Sequence, residues 1–354
     1  MKIAIALLIS IVINSSLQQE TVAPGEENIE TTTDPNEEEE EEGLQSNDPN
    51  SVAFYLYPSA ENTSYEEEIR IGESDSLLES GYSPTKSPIF LIHGFVNNYT
   101  CKFSQRVKNA FLEAGYGDRY NIIVVDWGAL STPKNQTNLG LTPLNDLAKN
   151  PFYQAAVKNV PKVGGRISEF IDFLITESYL DSPTSVYLIG FSLGAQVAGT
   201  AGYEVKQNMS EAIGRITGLD PAGPLYQSQT NNALKLESSD ASFVDIIHTN
   251  RGQSGYDGNI GHADFYPNGG GPNQNDCIDV GNDGWVTSNV AGVCAHNRCW
   301  VYYIKSLTND IYACKCFATP DYLCKATCSN KVLFGYPTPP TARGTYYVDV
   351  TGKE

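Results

Sequence analysis

Ser185-Val-Tyr-Leu-Ile-Gly190-Phe-Ser192-Leu-Gly194-Ala-Gln-Val-Ala-Gly-Thr200 is the stretch that decides the fold. An apolar, β-rich run leads into a Gly-x-Ser-x-Gly turn, and small residues compatible with a helix follow. This order is typical of a nucleophile elbow, a tight strand-to-helix turn that holds a serine at its tip. A side chain at Gly190 or Gly194 would clash with the neighbouring strand and helix. The sequence therefore predicts Ser192 as a nucleophile at the carboxyl end of a strand.

Other β-rich runs flank this turn, and several are apolar on both faces, as in a parallel sheet that is covered on both sides. Residues 153–179 repeat apolar side chains near a 3.6-residue period, and Pro161 and Gly164-Gly165 are positions where such a helix can break. Strands that alternate with helices predict an α/β fold in one domain, with a central, mostly parallel sheet and helices on both faces. The other expected strands are Val52–Tyr57, Ile89–Ile92, Asn121–Asp126, Arg215–Leu219 and Phe243–His248.

The chain has 354 residues, of which 40% are hydrophobic, enough for a sizeable core. Its net charge of −19 argues against nucleic acid as a partner. Residues 1–18 contain Lys2 and the apolar run Ile3–Ile13, a pattern typical of a secretory signal peptide. No later run approaches the length of a transmembrane anchor. The sequence predicts secretion, and four Asn-x-Ser/Thr sequons, at Asn62, Asn98, Asn135 and Asn208, agree with that route.

Residues 19–50 carry 12 acidic residues and no basic one, including the run Glu37–Glu42. A segment with so little to bury is expected to stay disordered, because burial cannot offset its ordering entropy. A solvated linker and a cleaved pro-segment are both compatible with this composition. The folded domain is predicted to span 51–354.

Eight cysteines in a chain predicted to be secreted suggest four disulfides. Six of them lie between Cys294 and Cys328, so the carboxyl-terminal region is expected to be cross-linked. Zinc is disfavoured, because no histidine has zinc-finger spacing to Cys314–Cys328.

A serine nucleophile needs a histidine base and a carboxylate that orients this base. Asp220 follows the next strand, 28 residues after Ser192, at the sheet edge where such sites form. The competing carboxylate, Asp245, lies inside a strand, where an aspartate usually serves structure. The chain order nucleophile, acid, base leaves three histidines after Ser192 as candidate bases. Residue chemistry alone does not choose among His248, His262 and His296.

Together these residues resemble the pancreatic lipase family of secreted α/β-hydrolases, over about residues 54–350. Within it, the layout resembles single-domain insect-type lipases and phospholipases A1. Several independent motifs occur in the family's order. They are Phe90-Leu-Ile-His-Gly-Phe95, Val124-Val-Asp-Trp127, Gly190-Phe-Ser-Leu-Gly194, Gly218-Leu-Asp-Pro-Ala-Gly-Pro224, Asp245-Ile-Ile-His-Thr249, His262-Ala-Asp-Phe-Tyr-Pro-Asn-Gly-Gly270 and Cys294-Ala-His296.

The resemblance implies an α/β-hydrolase fold and a Ser192–Asp220–His296 triad. It implies an oxyanion hole made by the backbone N–H groups of Phe95 and Leu193. The other histidines, His93, His248 and His262, would then be structural.

The resemblance further implies that Cys277 and Cys294 form the disulfide that closes a lid. The enclosed loop carries Trp285, Val286, Val290 and Val293 among Asp and Asn residues, which suits a cover that turns its apolar side to a lipid surface. Where the family has a calcium loop, Asn232, Glu237 and Asp240 occupy the expected ligand positions. An acidic surface turn explains these three residues equally well, so a structural calcium ion is an open expectation and no cofactor is required for catalysis.

These features predict a secreted hydrolase of lipid carboxylic esters, either a triacylglycerol lipase or a phospholipase A1, that acts on its substrate at an interface. The family's carboxyl-terminal β-sandwich is not expected in this chain, so no colipase partner is expected. The alternative is a catalytically silent lipase-fold protein that carries lipid, as a yolk protein would.

Overall fold

A computed structural model of the chain describes residues 45–134, 144–228, 235–274, 277, 292–316, 328 and 330–350. Within these residues, eleven strands form one sheet in the order β10-β9-β11-β8-β7-β6-β5-β3-β4-β1-β2. The strands are β1 Ala53–Tyr57, β2 Glu67–Ile69, β3 Ser87–Ile92, β4 Tyr120–Asp126, β5 Tyr187–Phe191, β6 Ile213–Leu219, β7 Ala241–Ile247, β8 Ala263–Pro267, β9 Tyr312–Lys315, β10 Lys331–Leu333 and β11 Gly344–Val348.

The centre of this sheet is parallel. Strands β4, β3, β5, β6, β7, β8 and β11 run in one direction, while β1, β2, β9 and β10 pair antiparallel at the two sides. All six strands expected from the sequence are present, with ends within two residues of the expected ones. The predicted α/β-hydrolase architecture is therefore confirmed.

Helices cover both faces of the sheet. They are α1 Ser74–Leu78, α2 Lys102–Glu113, α3 Gly128–Ser131, α4 Pro151–Thr176, α5 Leu193–Met209 and α6 Val293–Lys305. Helices α4 and α5 bury their apolar sides on one face, and α2 and α6 do so on the other. Large apolar side chains such as Phe90, Phe170 and Tyr303 are fully buried, and each contributes about 1.5–3 kcal/mol to folding.

The long helix breaks at neither of the two possible positions, since α4 continues through Pro161 and both glycines. Gly164 instead permits close packing of α4 on α5. A Cβ atom at this position would lie 2.7 Å from the Cβ atom of Thr200. The glycine therefore permits close contact between the two helices and does not interrupt α4.

The amino-terminal boundary of the folded domain also differs from the prediction, since residues 45–50 pack on it. The buried Gln45 donates from Nε2 to the Leu130 carbonyl oxygen at 2.6 Å. The Ser46 backbone N–H donates to Ala129 O at 2.9 Å, and Asn159 Nδ2 donates to Ser46 O at 2.9 Å. The sequence missed this contact because it is made through backbone groups and two side-chain amides rather than through apolar side chains.

Two amino-terminal deletions should separate the acidic segment from this contact. Deletion of 19–44 is expected to leave the melting temperature within about 2 °C of the full chain, because that segment has little to bury. Deletion of residues 19–50 also removes the hydrogen-bond partners of buried polar groups, and it should lower the melting temperature by about 3–10 °C. Thermal denaturation followed by circular dichroism measures both values. Equal melting temperatures for the two variants would contradict the contact.

The expectation of four disulfides was wrong. Cys277 bonds to Cys294, Cys314 bonds to Cys328, and Cys316 is also disulfide-bonded. Cys101 and Cys299 are free thiols. Cys299 is buried on α6, where its thiol donates to the His296 carbonyl oxygen at 3.1 Å. None of the described helices is both long and apolar enough to cross a membrane.

Candidate active site

Ser192 stands in a strained turn between β5 and α5. Its backbone has φ 56° and ψ −120°, a conformation that non-glycine residues rarely adopt. A Cβ atom at Gly190 would lie 2.3 Å from Gly194 O, and one at Gly194 would lie 2.2 Å from Ile92 O. Side chains are therefore excluded at both glycine positions by backbone atoms, and the turn presents the Ser192 side chain at the carboxyl edge of the sheet.

Two residues distant in sequence meet Ser192 at this edge. His296, in the first turns of α6, places Nε2 2.8 Å from Ser192 Oγ. Its Nδ1 lies 2.6 Å from Oδ2 of Asp220, which follows β6. The Phe191 ring packs against the imidazole, with ring centroids 4.9 Å apart. The three residues form one hydrogen-bonded chain from a buried carboxylate to the serine hydroxyl.

The Asp220 carboxylate is fully buried, and a turn after β7 wraps around it. Its Oδ1 accepts hydrogen bonds from the backbone N–H groups of Thr249 at 2.8 Å and Asn250 at 3.0 Å. Gly255 closes the other side, since a Cβ atom there would lie 2.5 Å from the same Oδ1. Two backbone donors fix one oxygen of the carboxylate, so this turn orients Asp220 toward His296.

The remaining histidines have structural partners. His248 Nε2 lies 2.9 Å from Asp264 Oδ1, and His262 Nδ1 accepts from the Val244 backbone N–H at 3.0 Å. Burial, with Arg343 as a smaller cause, lowers the pKa of His262. His93 is buried and connects the loop after β3 to the residue that follows β4. Its Nδ1 donates to Gly94 O at 2.9 Å, and its Nε2 accepts from the Trp127 backbone N–H at 3.2 Å.

The competing carboxylate, Asp245, is committed to a buried network. Arg215 donates to both of its oxygens at 2.9 Å, and Thr217 Oγ1 donates to Oδ1 at 2.8 Å. Its position within β7 therefore serves structure, as the sequence suggested.

The loop after β3 passes beside the nucleophile. A Cβ atom at Gly94 would lie 3.0 Å from Ser192 Cβ and 3.5 Å from its Oγ, so this glycine permits the approach. The next residue, Phe95, packs edge-on against Tyr153, with ring centroids 5.2 Å apart. Leu193 is the first residue of α5, where backbone N–H groups lack partners within the helix. The two segments that carry the predicted oxyanion donors therefore flank Ser192.

A cavity of about 260 Å³ opens over Ser192 and His296. Its walls are mostly apolar, and they include Phe95, Phe103, Leu147, Tyr153, Phe191 and Ala222. Apolar walls around a few polar groups are typical of a site for a small organic ligand. The arrangement can hold an acyl chain next to an activated hydroxyl.

The disulfide that closes the predicted lid is present, and it joins Cys277 and Cys294 with their Cα atoms 5.6 Å apart. Trp285 lies outside the described residues, so the lid stays a prediction.

The three calcium candidates are only partly described, because Asn232 also lies outside those residues. Among the described residues, no cluster of three or more His, Cys, Asp or Glu could hold a metal. Asp240 Oδ2 accepts from the Glu237 N–H at 2.8 Å, whereas its buried Oδ1 has no hydrogen-bond partner in the part of the chain that the structure describes. Burial raises the pKa of Asp240 to about 8. Calcium binds carboxylate oxygens, so the unpartnered oxygen of Asp240 is compatible with a role for Glu237 and Asp240 as calcium ligands.

Sequence reasoning missed the turn that holds Asp220. Thr249 and Asn250 act through backbone amides, which leave no mark on residue type. Gly255 carried a usable signal, since a glycine in a turn often marks a close approach of the backbone to another group.

Comparison of the sequence with known proteins assigns the chain to a family. The family model described as Lipase matches residues 14–330. Pancreatic triacylglycerol lipases of Myocastor coypus and Cavia porcellus are 32% and 34% identical, each over 73% of this chain and 53% and 52% of their own lengths. Inactive pancreatic lipase-related protein 1 of Homo sapiens is 31% identical over 77% of this chain and 57% of its own length. The chain thus spans about half the length of the curated relatives it matches. It belongs to the pancreatic lipase family.

Proposed function

We propose that this chain is a secreted hydrolase of lipid carboxylic esters that acts through a covalent acyl-enzyme. The observation that carries the proposal is the continuous hydrogen-bonded chain Asp220–His296–Ser192 beside an apolar cavity. Membership in the lipase family supports the choice of an ester as substrate.

In the first half-reaction, Ser192 Oγ attacks the ester carbonyl carbon while His296 Nε2 takes the hydroxyl proton. The negative charge that develops on the carbonyl oxygen is stabilised by the backbone N–H groups of Phe95 and Leu193. Asp220 holds His296 with Nδ1 protonated and stabilises the imidazolium. His296 then donates its proton to the leaving alcohol as the carbon–oxygen bond breaks.

In the second half-reaction, water attacks the acyl-serine in the same geometry. His296 takes a proton from the water and returns it to Ser192 Oγ as the fatty acid leaves. No step passes through a metal ion.

The substrate class follows from the walls of the cavity, whose aromatic and aliphatic side chains favour a fatty acyl chain. Triacylglycerol and phospholipid both carry such chains, and the two substrates remain alternatives within the proposal. The apolar loop between Cys277 and Cys294 is proposed as a cover that opens at a lipid surface.

The rival function is a lipid carrier without catalysis, and one family relative is named inactive. The intact triad geometry favours catalysis, because a carrier gains nothing from a hydroxyl aligned on an imidazole–carboxylate pair. The test is to incubate the purified protein with emulsified triglyceride and with phosphatidylcholine vesicles and to titrate the released fatty acid. Release from at least one substrate is expected. Lipid binding without release from either would favour the carrier.

The turn around Asp220 predicts a strong effect of Gly255→Ala. The added Cβ would overlap Oδ1 of Asp220, so the carboxylate and the turn must shift relative to each other, and the hydrogen bond from Asp220 to His296 is expected to be distorted. Displacement of a catalytic group by about 1 Å can cost about 100-fold, and we expect kcat to fall about 10- to 100-fold with little change in KM. Gly165→Ala is the matched control, since nothing lies within 4 Å of that position. Equal activity of the two variants in steady-state assays would contradict the proposed role of the turn.

A calcium ion at Glu237 and Asp240 predicts a measurable change in stability. Calcium would satisfy the unpartnered Asp240 Oδ1, so the melting temperature should rise by about 2–5 °C when calcium replaces a chelator. Asp240→Asn keeps the size of the side chain but removes its charge, and it should abolish the response. A melting temperature that is insensitive to calcium in the wild type would remove these residues from consideration as ligands.

A further inference from the structure

Ser254 lines the catalytic cavity, and its hydroxyl group has no protein partner among the described residues. Its relative exposure is 3%. The neighbours Gln253 and Gly255 line a different pocket. Of these three consecutive residues, only Ser254 borders the cavity that contains Ser192 and His296.

Other polar side chains of this cavity are already hydrogen-bonded. Tyr153 donates from its hydroxyl to Pro224 O at 3.1 Å. Asn97 and Asn297 donate from their Nδ2 atoms to Phe95 O at 3.2 Å and Val293 O at 2.9 Å. A buried hydroxyl without a partner is unfavourable, whereas a bound ligand that supplies an acceptor gains by pairing with it.

Ser254 is also held rigidly relative to the nucleophile. Its carbonyl oxygen accepts from the Gly223 N–H at 2.8 Å, and the adjacent Ala222 N–H donates to Ser192 O at 3.1 Å. Two backbone hydrogen bonds thus connect the turn of Ser254 to the elbow of Ser192. A hydroxyl carried on a backbone fixed in this way can discriminate between ligands, because its Cα and Cβ atoms keep one position relative to Ser192.

We propose that Ser254 is a specificity-determining residue that donates a hydrogen bond to a second oxygen function of the bound lipid. This inference rests on the proposed function. In the proposed mechanism, the backbone amides of Phe95 and Leu193 donate hydrogen bonds to the attacked carbonyl oxygen, and His296 protonates the leaving oxygen. The acceptor that remains for Ser254 is an oxygen beyond the scissile ester, as in the neighbouring ester or head-group linkage of a glycerolipid. A simple monoester of a plain alcohol has no such atom.

The test compares Ser254→Ala, Ser254→Thr and wild type on two substrates with the same acyl chain, dioctanoylphosphatidylcholine and ethyl octanoate. Loss of one neutral hydrogen bond should lower kcat/KM for the phospholipid about tenfold and leave the monoester within about twofold. Ser254→Thr keeps a hydroxyl and should retain the wild-type ratio between the two substrates. The melting temperature of each variant checks that it is folded.

The substrate ratio distinguishes the outcomes. An equal loss on both substrates would assign Ser254 a structural role and overturn the inference. An unchanged rate on both would overturn it as well, since the hydroxyl would then contribute nothing to recognition. If the wild type hydrolysed neither substrate, the proposed function would fail and this inference with it. Hydrolysis of both with an unchanged ratio in Ser254→Ala would overturn only the inference.

Discussion

Replacement of Ser192 with Ala is expected to lower ester hydrolysis by about 10⁴- to 10⁶-fold in kcat, the loss typical of a missing triad member. The substitution removes only the attacking oxygen, because the fold of the elbow depends on Gly190 and Gly194 rather than on the hydroxyl. The measurement is fatty acid release at saturating substrate by wild type and variant, after each has been purified to the same purity.

The control for this prediction is stability. Alanine tolerates the strained backbone of Ser192 about as well as serine does, so the melting temperature should change by no more than a few degrees. Activity above a few per cent of wild type in a folded Ser192→Ala protein would remove Ser192 as the nucleophile.

His296→Ala is expected to match the serine variant, with kcat again about 10⁴- to 10⁶-fold lower. Without the imidazole, no other base among the described residues hydrogen-bonds to Ser192 Oγ, and Asp220 loses the group that it orients. The measurement is again kcat on the same lipid, combined with the melting temperature.

His248→Ala and His262→Ala serve as matched controls, because each removes an imidazole that belongs to a structural hydrogen bond. Both should lower the melting temperature while folded molecules keep turning over. Normal turnover by a folded His296→Ala protein would disprove its role as the base.

Much of the fold could be predicted from local pattern. The apolar runs around residues 89–92 and 121–126 became buried parallel strands because covered strands carry apolar side chains on both faces. The Gly-x-Ser-x-Gly turn was predictable because two glycines are required where backbone atoms approach within 2.2–2.3 Å of a hypothetical Cβ. Such steric demands depend on a few neighbouring residues and so leave a local signature.

Contacts between distant segments could not be read in the same way. Residue chemistry left three histidines open as the base, because the partners of each are set by the tertiary fold, and only the family resemblance favoured His296. The docking of Gln45 and the passage of α4 through Pro161 depend on backbone groups and on packing between helices. Cys101 and Cys299 remain free although an even cysteine count suggested full pairing. Counting residues does not show which side chains meet.

The central claim is that His296 and Asp220 activate Ser192, and labelling by an alkyl fluorophosphonate tests it most directly. This reagent reacts with an activated serine hydroxyl and leaves a stable adduct, so it needs no knowledge of the natural lipid. Wild type, His296→Ala and Asp220→Asn are incubated with the reagent, digested and mapped by mass spectrometry. We predict one adduct per wild-type molecule, on Ser192, and labelling at least about 100-fold slower in both variants. An adduct on another residue, or equal labelling rates in all three proteins, would contradict the account.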